Sequence, residues 1–299
     1  MSKKIVNIVS NIRIISDYTS SYINQLLSLS QDNYEIGKII LVCDEISGNT
    51  KISNWAAVDS RVILVLEELT DISLLNIEEK TNQWAKLCNQ GINESLKFKS
   101  DYTFFVEADL TFPFDLLDEL VFSNLDICAP VIFLGAGFYD SWGFRDLNGK
   151  KIFNLKRCDV FTSPIELSSV GSCVLFRTDI FFSGVRFRGP YDSGLLVGVC
   201  NDARILGYRV WMLPHLSIIH PTSSWRKQMW LITEIDIQHL LFTENYKTNI
   251  IVPSAYKEFV ESAVIKYLGN IKAIPILDCS ILIIKNETKR SLSIKILDV

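Results

Sequence analysis

The sequence has no run of basic residues, and its overall balance of charge is slightly acidic. It contains 30 Lys and Arg residues against 34 Asp and Glu residues, which gives a formal net charge of −4 and a pI near 5.5. Affinity for nucleic acids comes mainly from basic side chains that neutralise phosphates. The composition therefore argues against a nucleic acid as a partner of this protein.

Two glycine-rich motifs that bind nucleotides are also missing. Neither G-x-G-x-x-G nor G-x-x-x-x-G-K-[ST] occurs in the chain. The sequence therefore gives no indication of dinucleotide or P-loop chemistry. Internal repeats and low-complexity tracts are absent too, so a repeat architecture is not predicted.

Signals for secretion and for membrane insertion are absent as well. The chain passes from two lysines straight into a strand-like segment broken by Asn7, and no apolar run is long enough to span a bilayer. The seven cysteines are an odd number and include no C-x-x-C pair, as expected of a reduced chain. We predict a cytoplasmic protein and leave open a surface helix that attaches it to the inner face of a membrane.

The sequence does contain enough apolar material for a large core, in alternating strand and helix patterns. Of its 299 residues, 48% are hydrophobic and 21% are charged, which is typical of a globular chain. The β-α-β-α order of the first half predicts an α/β fold with a doubly wound, mainly parallel sheet. The predicted elements there are strands at 4–10, 38–43, 61–66 and 102–106, and helices at 16–29 and 78–96.

The end of the chain has a different pattern, which predicts a separate part. Helices are predicted at 226–242 and 254–268, followed by a pair of strands at 280–285 and 292–297. We therefore predict a main domain at 1–222 and a small C-terminal α+β appendage at 223–299. The sequence leaves three roles open for the appendage, which are acceptor recognition, dimerisation (a homo-oligomer contact) and docking to a membrane assembly.

Two carboxylates follow the most apolar of the predicted strands. Tyr102–Val106 has no polar alternation and reads as a strand buried on both faces, and Glu107 and Asp109 come directly after it. Ligands of open α/β sheets bind outside the carboxyl ends of strands. Carboxylate oxygens suit Mg²⁺ or Mn²⁺ that also holds phosphates. The alternative is a solvated turn in which Asp109 caps the following segment.

A histidine ends a later strand in a comparable way. Two apolar segments, 209–214 and 216–219, follow each other here, and His220 closes the second and precedes Pro221. It faces the same sheet edge as the acid pair if the two strands are neighbours. An imidazole that joins carboxylates and a diphosphate favours Mn²⁺ over Mg²⁺. The alternative is a structural histidine.

Polar residues also follow the first two predicted strands. Ser10, Asn11 and Arg13 lie at or past the end of the first strand, and Asp44 and Glu45 end the second. A carboxylate after an early strand can accept hydrogen bonds from ribose hydroxyls. We predict that these residues contact a nucleotide, and ordinary loop chemistry is the alternative for each.

The region 135–157 combines glycines, aromatic rings and charges. Asp140, Trp142 and Arg145 offer a flat apolar face and hydrogen-bonding groups, which a sugar site requires. Core packing of Trp142 and Phe144 is the competing interpretation. Further along, Asp192 precedes a predicted helix that Gly207 closes, so it is either an N-cap or a catalytic base.

Four features in this order resemble GT-A-fold glycosyltransferases of the family 2 and Anp1-like (family 62) kind. They are the acid-x-Asp at 107–109, the Tyr-Asp-Ser-Trp-Gly-Phe-Arg loop at 139–145, the Asp-x-Gly-Leu…Leu-Gly-Tyr-Arg-Val helix at 192–210 and the Ile-Ile-His-Pro at 218–221. The resemblance covers about residues 4 to 222. It includes Lys86 and Asn89, on a helix that lies beside the nucleotide-sugar in those enzymes.

The resemblance implies a role for each matching residue. Asp109 is expected to bind the metal, Glu107 to hold the ribose or metal-bound waters, and His220 to contact the metal or the diphosphate. Asp44 or Glu45 is expected to meet the nucleoside. The sequence departs from the pattern twice. Glu107 replaces the usual Asp, and Leu195 and Leu196 stand where inverting family 2 enzymes carry a Glu-Asp pair, so we expect Asp192, a turn earlier, to be the base.

The resemblance implies a metal-dependent hexosyltransferase with Mn²⁺ or Mg²⁺ as its cofactor. It would move a sugar from a UDP- or GDP-sugar donor to a saccharide or lipid-linked saccharide acceptor, in surface polysaccharide or glycan synthesis. Two other classes stay open. One is a non-catalytic sugar-binding or scaffold relative. The other is a nucleotidyltransferase, which would more often carry a glycine-rich basic loop after its first strand.

Overall fold

The structure is a computed structural model, and it divides into two compact units, Met1–Thr222 and Ser223–Val299. In the first unit it describes residues 3–12, 17–43, 50–67, 77–134, 137–140, 143–152, 163–189 and 194–220. In the second it describes the backbone of 249–253, 272–276, 279–285 and 291–297. No helix in these ranges has the length and apolar character needed to cross a membrane.

The first unit alternates strands with helices, as its apolar periodicity predicts. Its strands are β1 (Lys4–Ile12), β2 (Tyr34–Cys43), β3 (Val62–Leu66), β4 (Tyr102–Val106), β5 (Ile127–Leu134), β6 (Gly137–Phe138), β7 (Ile165–Leu167), β8 (Cys173–Arg177) and β9 (Val210–Ile219). Its helices are α1 (Asp17–Ser28), α2 (Thr50–Val58), α3 (Ile77–Ser95), α4 (Leu116–Phe122), α5 (Asp179–Phe182) and α6 (Leu195–Ile205).

These strands form one sheet, in the order β3-β2-β1-β4-β8-β5-β9-β7, with β6 paired to β5. Strands β3, β2, β1 and β4 are parallel, and β5 is parallel to β9. Strand β8 runs antiparallel to both of its neighbours, β4 and β5. The mostly parallel sheet with flanking helices confirms the predicted α/β class.

The strands in the middle of the sheet are buried, as their composition predicts. Every residue of β4 is buried, and Phe104 and Val106 have no exposed surface. Helix α3 lies close to this part of the sheet because Gly91 has no side chain. A Cβ at Gly91 would lie 2.6 Å from Cγ1 of Val9 and 3.0 Å from Cγ2 of Val42. The close approach brings α3 to the carboxyl ends of the first strands.

Strand β9 is continuous where the sequence indicates two separate segments. Its pairing with β5 passes from Leu213, opposite Pro130, directly to Ser217, opposite Val131. The three residues between them, 214–216, form a bulge. The bulge accommodates Pro214, which has no amide hydrogen to donate to a neighbouring strand. The strand therefore continues to Ile219 and carries the next residue, His220, to the carboxyl end of the sheet.

The second unit contains a small mixed sheet. Its strands are β10 (Asn249–Pro253), β11 (Lys272–Ile276), β12 (Cys279–Lys285) and β13 (Ser291–Leu297), in the order β10-β13-β12-β11. The predicted strand pair is present as the antiparallel β12 and β13. The helices predicted at 226–242 and 254–268 lie outside the described residues.

Candidate functional site

The candidate site forms where residues 107–111 leave β4 and run along the edge of the sheet. The Glu107 amide donates a hydrogen bond to the Ser172 carbonyl, just before β8, at 3.1 Å. Thr111 then pairs with Ile219 at the end of β9, since each amide donates to the other residue's carbonyl, at 2.8 and 2.9 Å. This segment therefore crosses the ends of β8 and β5 and brings Asp109 to His220.

Glu107, Asp109 and His220 meet as a possible set of metal ligands. One ligand atom from each lies within 4.8 Å of the others, and Nε2 of His220 is 3.5 Å from Oδ2 of Asp109. The His220 side chain is 2% exposed and that of Asp109 is 33% exposed, so the group opens to solvent on the Asp109 side. β4 and β9 are not adjacent in the sheet, and the loop brings the residues together instead.

The donor set fits a divalent cation of the Mn²⁺ or Mg²⁺ kind. Two carboxylates and one imidazole are ligands that Mn²⁺ accepts, and the carboxylates suit Mg²⁺ as well. Oδ1 of Asp109 is buried and makes no hydrogen bond within the protein, which is costly unless a ligand occupies it. The residues present therefore fit such an ion, which they would hold through oxygen and nitrogen atoms that lie within 4.8 Å of one another.

Tyr139 and the end of β5 support the imidazole. The Tyr139 ring lies against that of His220, with centroids 4.1 Å apart and planes at 53°. The His220 amide donates to the Phe133 carbonyl at 2.8 Å, and the Tyr139 amide donates to the Ile132 carbonyl at 2.9 Å. Both backbones are therefore fixed to β5, and the packing of the Tyr139 ring limits rotation of the imidazole.

Asp140 lies behind this group and is almost completely enclosed, with 7% of its surface exposed. Its Oδ1 accepts a hydrogen bond from the Gly143 amide, and its Oδ2 accepts one from the Ser172 hydroxyl, both at 2.9 Å. Burial raises the pKa of Asp140, while these two hydrogen bonds and the charges of His220 and Arg145 oppose the rise.

The other described residues predicted for the sugar site are buried as well. Arg145 is 5% exposed, and its backbone pairs with Ser168 and Ser169. Phe144 is fully buried and packs edge-on against Phe138, with ring centroids 5.3 Å apart. Phe144 is thus a core residue, as the competing interpretation has it, while Trp142 lies outside the described residues.

The described residues predicted to contact the nucleotide mostly have partners within the protein. Ser10 is fully buried and hydrogen-bonds the Tyr22 hydroxyl. The Asn11 amide nitrogen donates to Cys88 Sγ at 3.1 Å, while its Oδ1 is buried without a protein partner. Burial raises the pKa of Cys88 to about 12, so this thiol stays protonated.

Two predicted contacts on helix α3 are also engaged by the protein. The Lys86 ammonium pairs with the Glu67 carboxylate. The Asn89 side chain donates to the Phe187 carbonyl at 2.9 Å and accepts from the Phe187 amide at 2.8 Å. The predicted contacts Arg13, Asp44 and Glu45 and the predicted base Asp192 lie outside the described residues, and their roles stay predictions.

Sequence reasoning overlooked a carboxylate at the same sheet edge. Glu67 follows β3 directly, and its pKa is lowered by hydrogen bonds from Lys86 and Gln90. The Gln90 amide donates to Oε2 of Glu67 at 2.6 Å. The position of Glu67 directly after a predicted strand could have identified it, since the same position singled out Asp44. The roles of Thr111, Tyr139 and Ser172 could not be derived in this way, because they depend on the order of strands in the sheet.

Comparisons with known proteins show the fold. No protein-family model and no curated protein matches the sequence. The solved structure of GalNAc-T7 with UDP, GalNAc and Mn²⁺ aligns with a TM-score of 0.53 and 12% identity, over 73% of this chain and 44% of that one. The mannosyltransferase PcManGT from Pyrobaculum calidifontis, with GDP-Man and Mn²⁺, aligns with a TM-score of 0.50 and 14% identity, over 89% of this chain and 71% of that one.

The chain thus spans less than half the length of the GalNAc-T7 structure. Both solved structures are glycosyltransferases of the GT-A type, and these likenesses confirm the GT-A, Rossmann-like fold. At 12% and 14% identity they show the fold alone. The chemistry of the site therefore follows from the residues of this chain.

Proposed function

We propose that the protein is a metal-dependent glycosyltransferase that moves a hexosyl group from a nucleotide-sugar to a saccharide acceptor. The convergence of Glu107, Asp109 and His220 at the carboxyl ends of the strands carries the proposal. The two solved structures of the same fold support it, because their complexes contain UDP or GDP-Man together with Mn²⁺. A UDP- or GDP-sugar is therefore the proposed donor.

In this proposal Asp109 and His220 hold the cation directly, and Glu107 holds it directly or through bound water. When bound there, Mn²⁺ or Mg²⁺ would supply positive charge to offset the charge that develops on the leaving diphosphate. Asp109 presents its unpartnered Oδ1 to the cation, and Tyr139 keeps the imidazole in place. Glu67 follows β3 at the edge at which a nucleoside would bind, and the predicted nucleoside contacts Arg13, Asp44 and Glu45 lie outside the described residues.

The transfer itself requires a group that accepts a proton. The oxygen of an acceptor hydroxyl forms a bond to the anomeric carbon, the bond from that carbon to the diphosphate breaks, and the hydroxyl proton passes to a base. We assign the base to Asp192, which stands two residues before Gly194, the residue that precedes α6. An inverting reaction needs a general base in this role, and a carboxylate can serve as one.

The remaining parts of the proposal concern the setting of the reaction. The acceptor is a saccharide or a lipid-linked saccharide, and the product belongs to surface polysaccharide or glycan synthesis in the cytoplasm. The second unit binds the acceptor, a second copy of the chain or a membrane assembly. The resemblance of residues 4 to 222 to family 2 and Anp1-like enzymes supports the acceptor and the product, the cysteine content supports the location, and the role of the second unit stays open among the three.

Asp109→Asn tests the metal assignment directly. Asparagine keeps the size of the side chain but removes the charge, so we expect Mn²⁺ binding and donor turnover to fall at least 100-fold. Asp115→Asn is a matched control, because Asp115 is exposed and makes no capping hydrogen bond. Mn²⁺ affinity is measured by calorimetry, and turnover as Mn²⁺-dependent release of UDP or GDP from a panel of UDP- and GDP-sugars.

Two outcomes would contradict the proposal. Wild-type turnover by the Asp109→Asn protein would remove the metal assignment. Mn²⁺ binding by the wild type without release of any nucleotide, in the presence of saccharide acceptors, would favour the non-catalytic sugar-binding alternative.

A further inference from the structure

The Asp140 carboxylate is enclosed by three small residues of two separate segments. Gly143 and Ser172 each donate a hydrogen bond to it. Gly171 packs so closely that a Cβ there would overlap the carboxylate. A Cβ at Gly143 would in turn lie 2.6 Å from the Gly171 Cα, so these two glycines are also in close contact. The carboxylate thus fastens the chain before β8 to the loop after β6.

The segment that Asp140 fastens also holds the first of the proposed metal ligands. Ser172 donates its hydroxyl to Oδ2 of Asp140 and accepts the Glu107 amide on its carbonyl, at 2.9 and 3.1 Å. Its φ is +23°, an angle that L-residues rarely adopt. Such a conformation persists only where the surroundings hold it, and the hydrogen bond to Asp140 and the packing of Gly171 do so here.

Tyr139, the residue before Asp140, contacts a second proposed metal ligand, His220. Tyr139 packs against the His220 ring, and Asp140 follows it directly in the chain. The dipeptide 139–140 therefore supports Glu107 on one side, through Ser172, and His220 on the other. Both oxygens of Asp140 accept hydrogen bonds from the protein, which favours this role over a direct contact with a sugar.

We propose that Asp140 is a positioning residue of the Glu107–Asp109–His220 metal centre, which it maintains by holding Ser172 and, through Ser172, the backbone of Glu107. The proposal rests on the metal centre of the proposed function, but it does not require that the protein transfers a sugar. Residues that orient metal ligands in this indirect way typically contribute 10- to 100-fold to metal affinity.

The test compares two substitutions of Asp140 with a control at the opposite end of the sheet. Asp140→Ala removes both hydrogen bonds, whereas Asp140→Asn can still accept from Gly143 and can donate to the Ser172 oxygen. Asp118 is the control, because it is also buried and accepts hydrogen bonds from Asn33 and Ser30. Asp118 lies near the start of β2, at the amino ends of the parallel strands, whereas the proposed metal ligands lie at their carboxyl ends.

We expect Asp140→Ala to weaken Mn²⁺ binding at least 10-fold in calorimetry of the full chain. Asp140→Asn should restore the affinity to within about threefold of wild type, because it restores the hydrogen bonds. Asp118→Ala should destabilise the fold in urea and leave the Mn²⁺ affinity within twofold. A structural role without positioning would produce equal effects of the two alanine variants on Mn²⁺ affinity.

Each other outcome overturns the proposal in a recognisable way. Wild-type Mn²⁺ affinity in Asp140→Ala would refute positioning while the metal centre stands. An equal loss in Asp140→Asn and Asp140→Ala would show that charge, and not hydrogen bonding, is what matters. Asp140→Ala that fails to fold leaves Asp140→Asn as the decisive variant, and more than a 10-fold loss there refutes the proposal. Mn²⁺ binding that persists in Asp109→Asn would remove the metal centre itself.

Discussion

The bridge between Thr111 and Ile219 is expected to hold the proposed metal ligands together, and replacing Thr111 by proline tests this. Proline has no amide hydrogen, so the hydrogen bond from the Thr111 amide to the Ile219 carbonyl, 2.8 Å long, is lost. Proline also restricts the backbone of the preceding residue, Leu110, whose amide donates to the Glu107 carbonyl at 3.3 Å. The Thr111 side chain itself is exposed, so little packing is lost.

The expected cost in stability follows from these two changes. One net backbone hydrogen bond is worth about 1 kcal/mol, and the restriction on Leu110 adds a similar amount, so the free energy of unfolding should fall by about 1 to 3 kcal/mol. The change of separation between Asp109 and His220 should weaken Mn²⁺ binding by about 10-fold, which corresponds to about 1.4 kcal/mol.

The assay is urea unfolding with and without a fixed excess of Mn²⁺. Mn²⁺ stabilises the folded protein by RT ln(1 + [Mn²⁺]/Kd), which is about 2.7 kcal/mol at 100 times the Kd. This increment should shrink by about 1.4 kcal/mol in Thr111→Pro. Thr111→Ala, which keeps the amide, should match the wild type. A folded Thr111→Pro protein with the full Mn²⁺ increment would refute the claim that the bridge sets the geometry of the site.

Two further predictions concern parts of the fold outside the metal ligands. Asn89→Ala leaves two backbone groups of Phe187 without partners and should cost about 2 kcal/mol of unfolding free energy in urea. The control is Asn93→Ala on the same helix, which loses one exposed hydrogen bond to Arg186 and should cost less than about 0.5 kcal/mol of unfolding free energy. If Asn89→Ala instead keeps the wild-type stability and binds nucleotide more weakly, Asn89 contacts the donor. The Arg61 guanidinium lowers the pKa of Asp59 from 3.8 to about 2, so this pair stabilises the fold above pH 3.8 and loses that effect as pH falls towards 2. Asp59→Asn should therefore be about 1 kcal/mol less stable at pH 7, after allowance for solvent screening, with a gap that narrows between pH 4 and pH 2; a gap that is constant with pH would contradict this account.

Sequence reasoning singled out Glu107, Asp109 and His220, which the structure brings together, because each of them follows a strand closely. Tyr102–Val106 was predicted with the bounds that the structure has, and the residues that follow a buried strand in an α/β sheet must lie at its carboxyl edge. The same reasoning applied to His220 even though β9 was predicted as two pieces. A bulge at Pro214 keeps the strand in the sheet, and the position of its end is unchanged.

The same reasoning could not establish which strand-end side chains remain available to a ligand. Ser10 and Asn11 both stand at the end of the first predicted strand, yet Ser10 is fully buried and hydrogen-bonds Tyr22 of α1. Asn89 lies on the helix that the resemblance singles out, yet it holds the backbone of Phe187, 98 residues away in sequence. Such pairings depend on how the helices pack on the sheet, and this packing cannot be predicted from the local pattern of apolar residues.

The order of strands explains why the site forms where it does. If β4 were directly beside β9, Asp109 and His220 could meet without any further support. Instead β8 and β5 lie between them, and β8 runs antiparallel to both of its neighbours, so its amino end comes to the edge where β4 and β5 end. That end brings the backbone of Gly171 and Ser172 to the acid pair, and Ser172 supplies the carbonyl that holds Glu107. The antiparallel strand therefore separates the proposed metal ligands and also supplies the support that lets residues 107–111 cross the gap. In the proposed metal centre, the affinity for Mn²⁺ would depend on this whole sheet edge and, through Ser172, on Asp140.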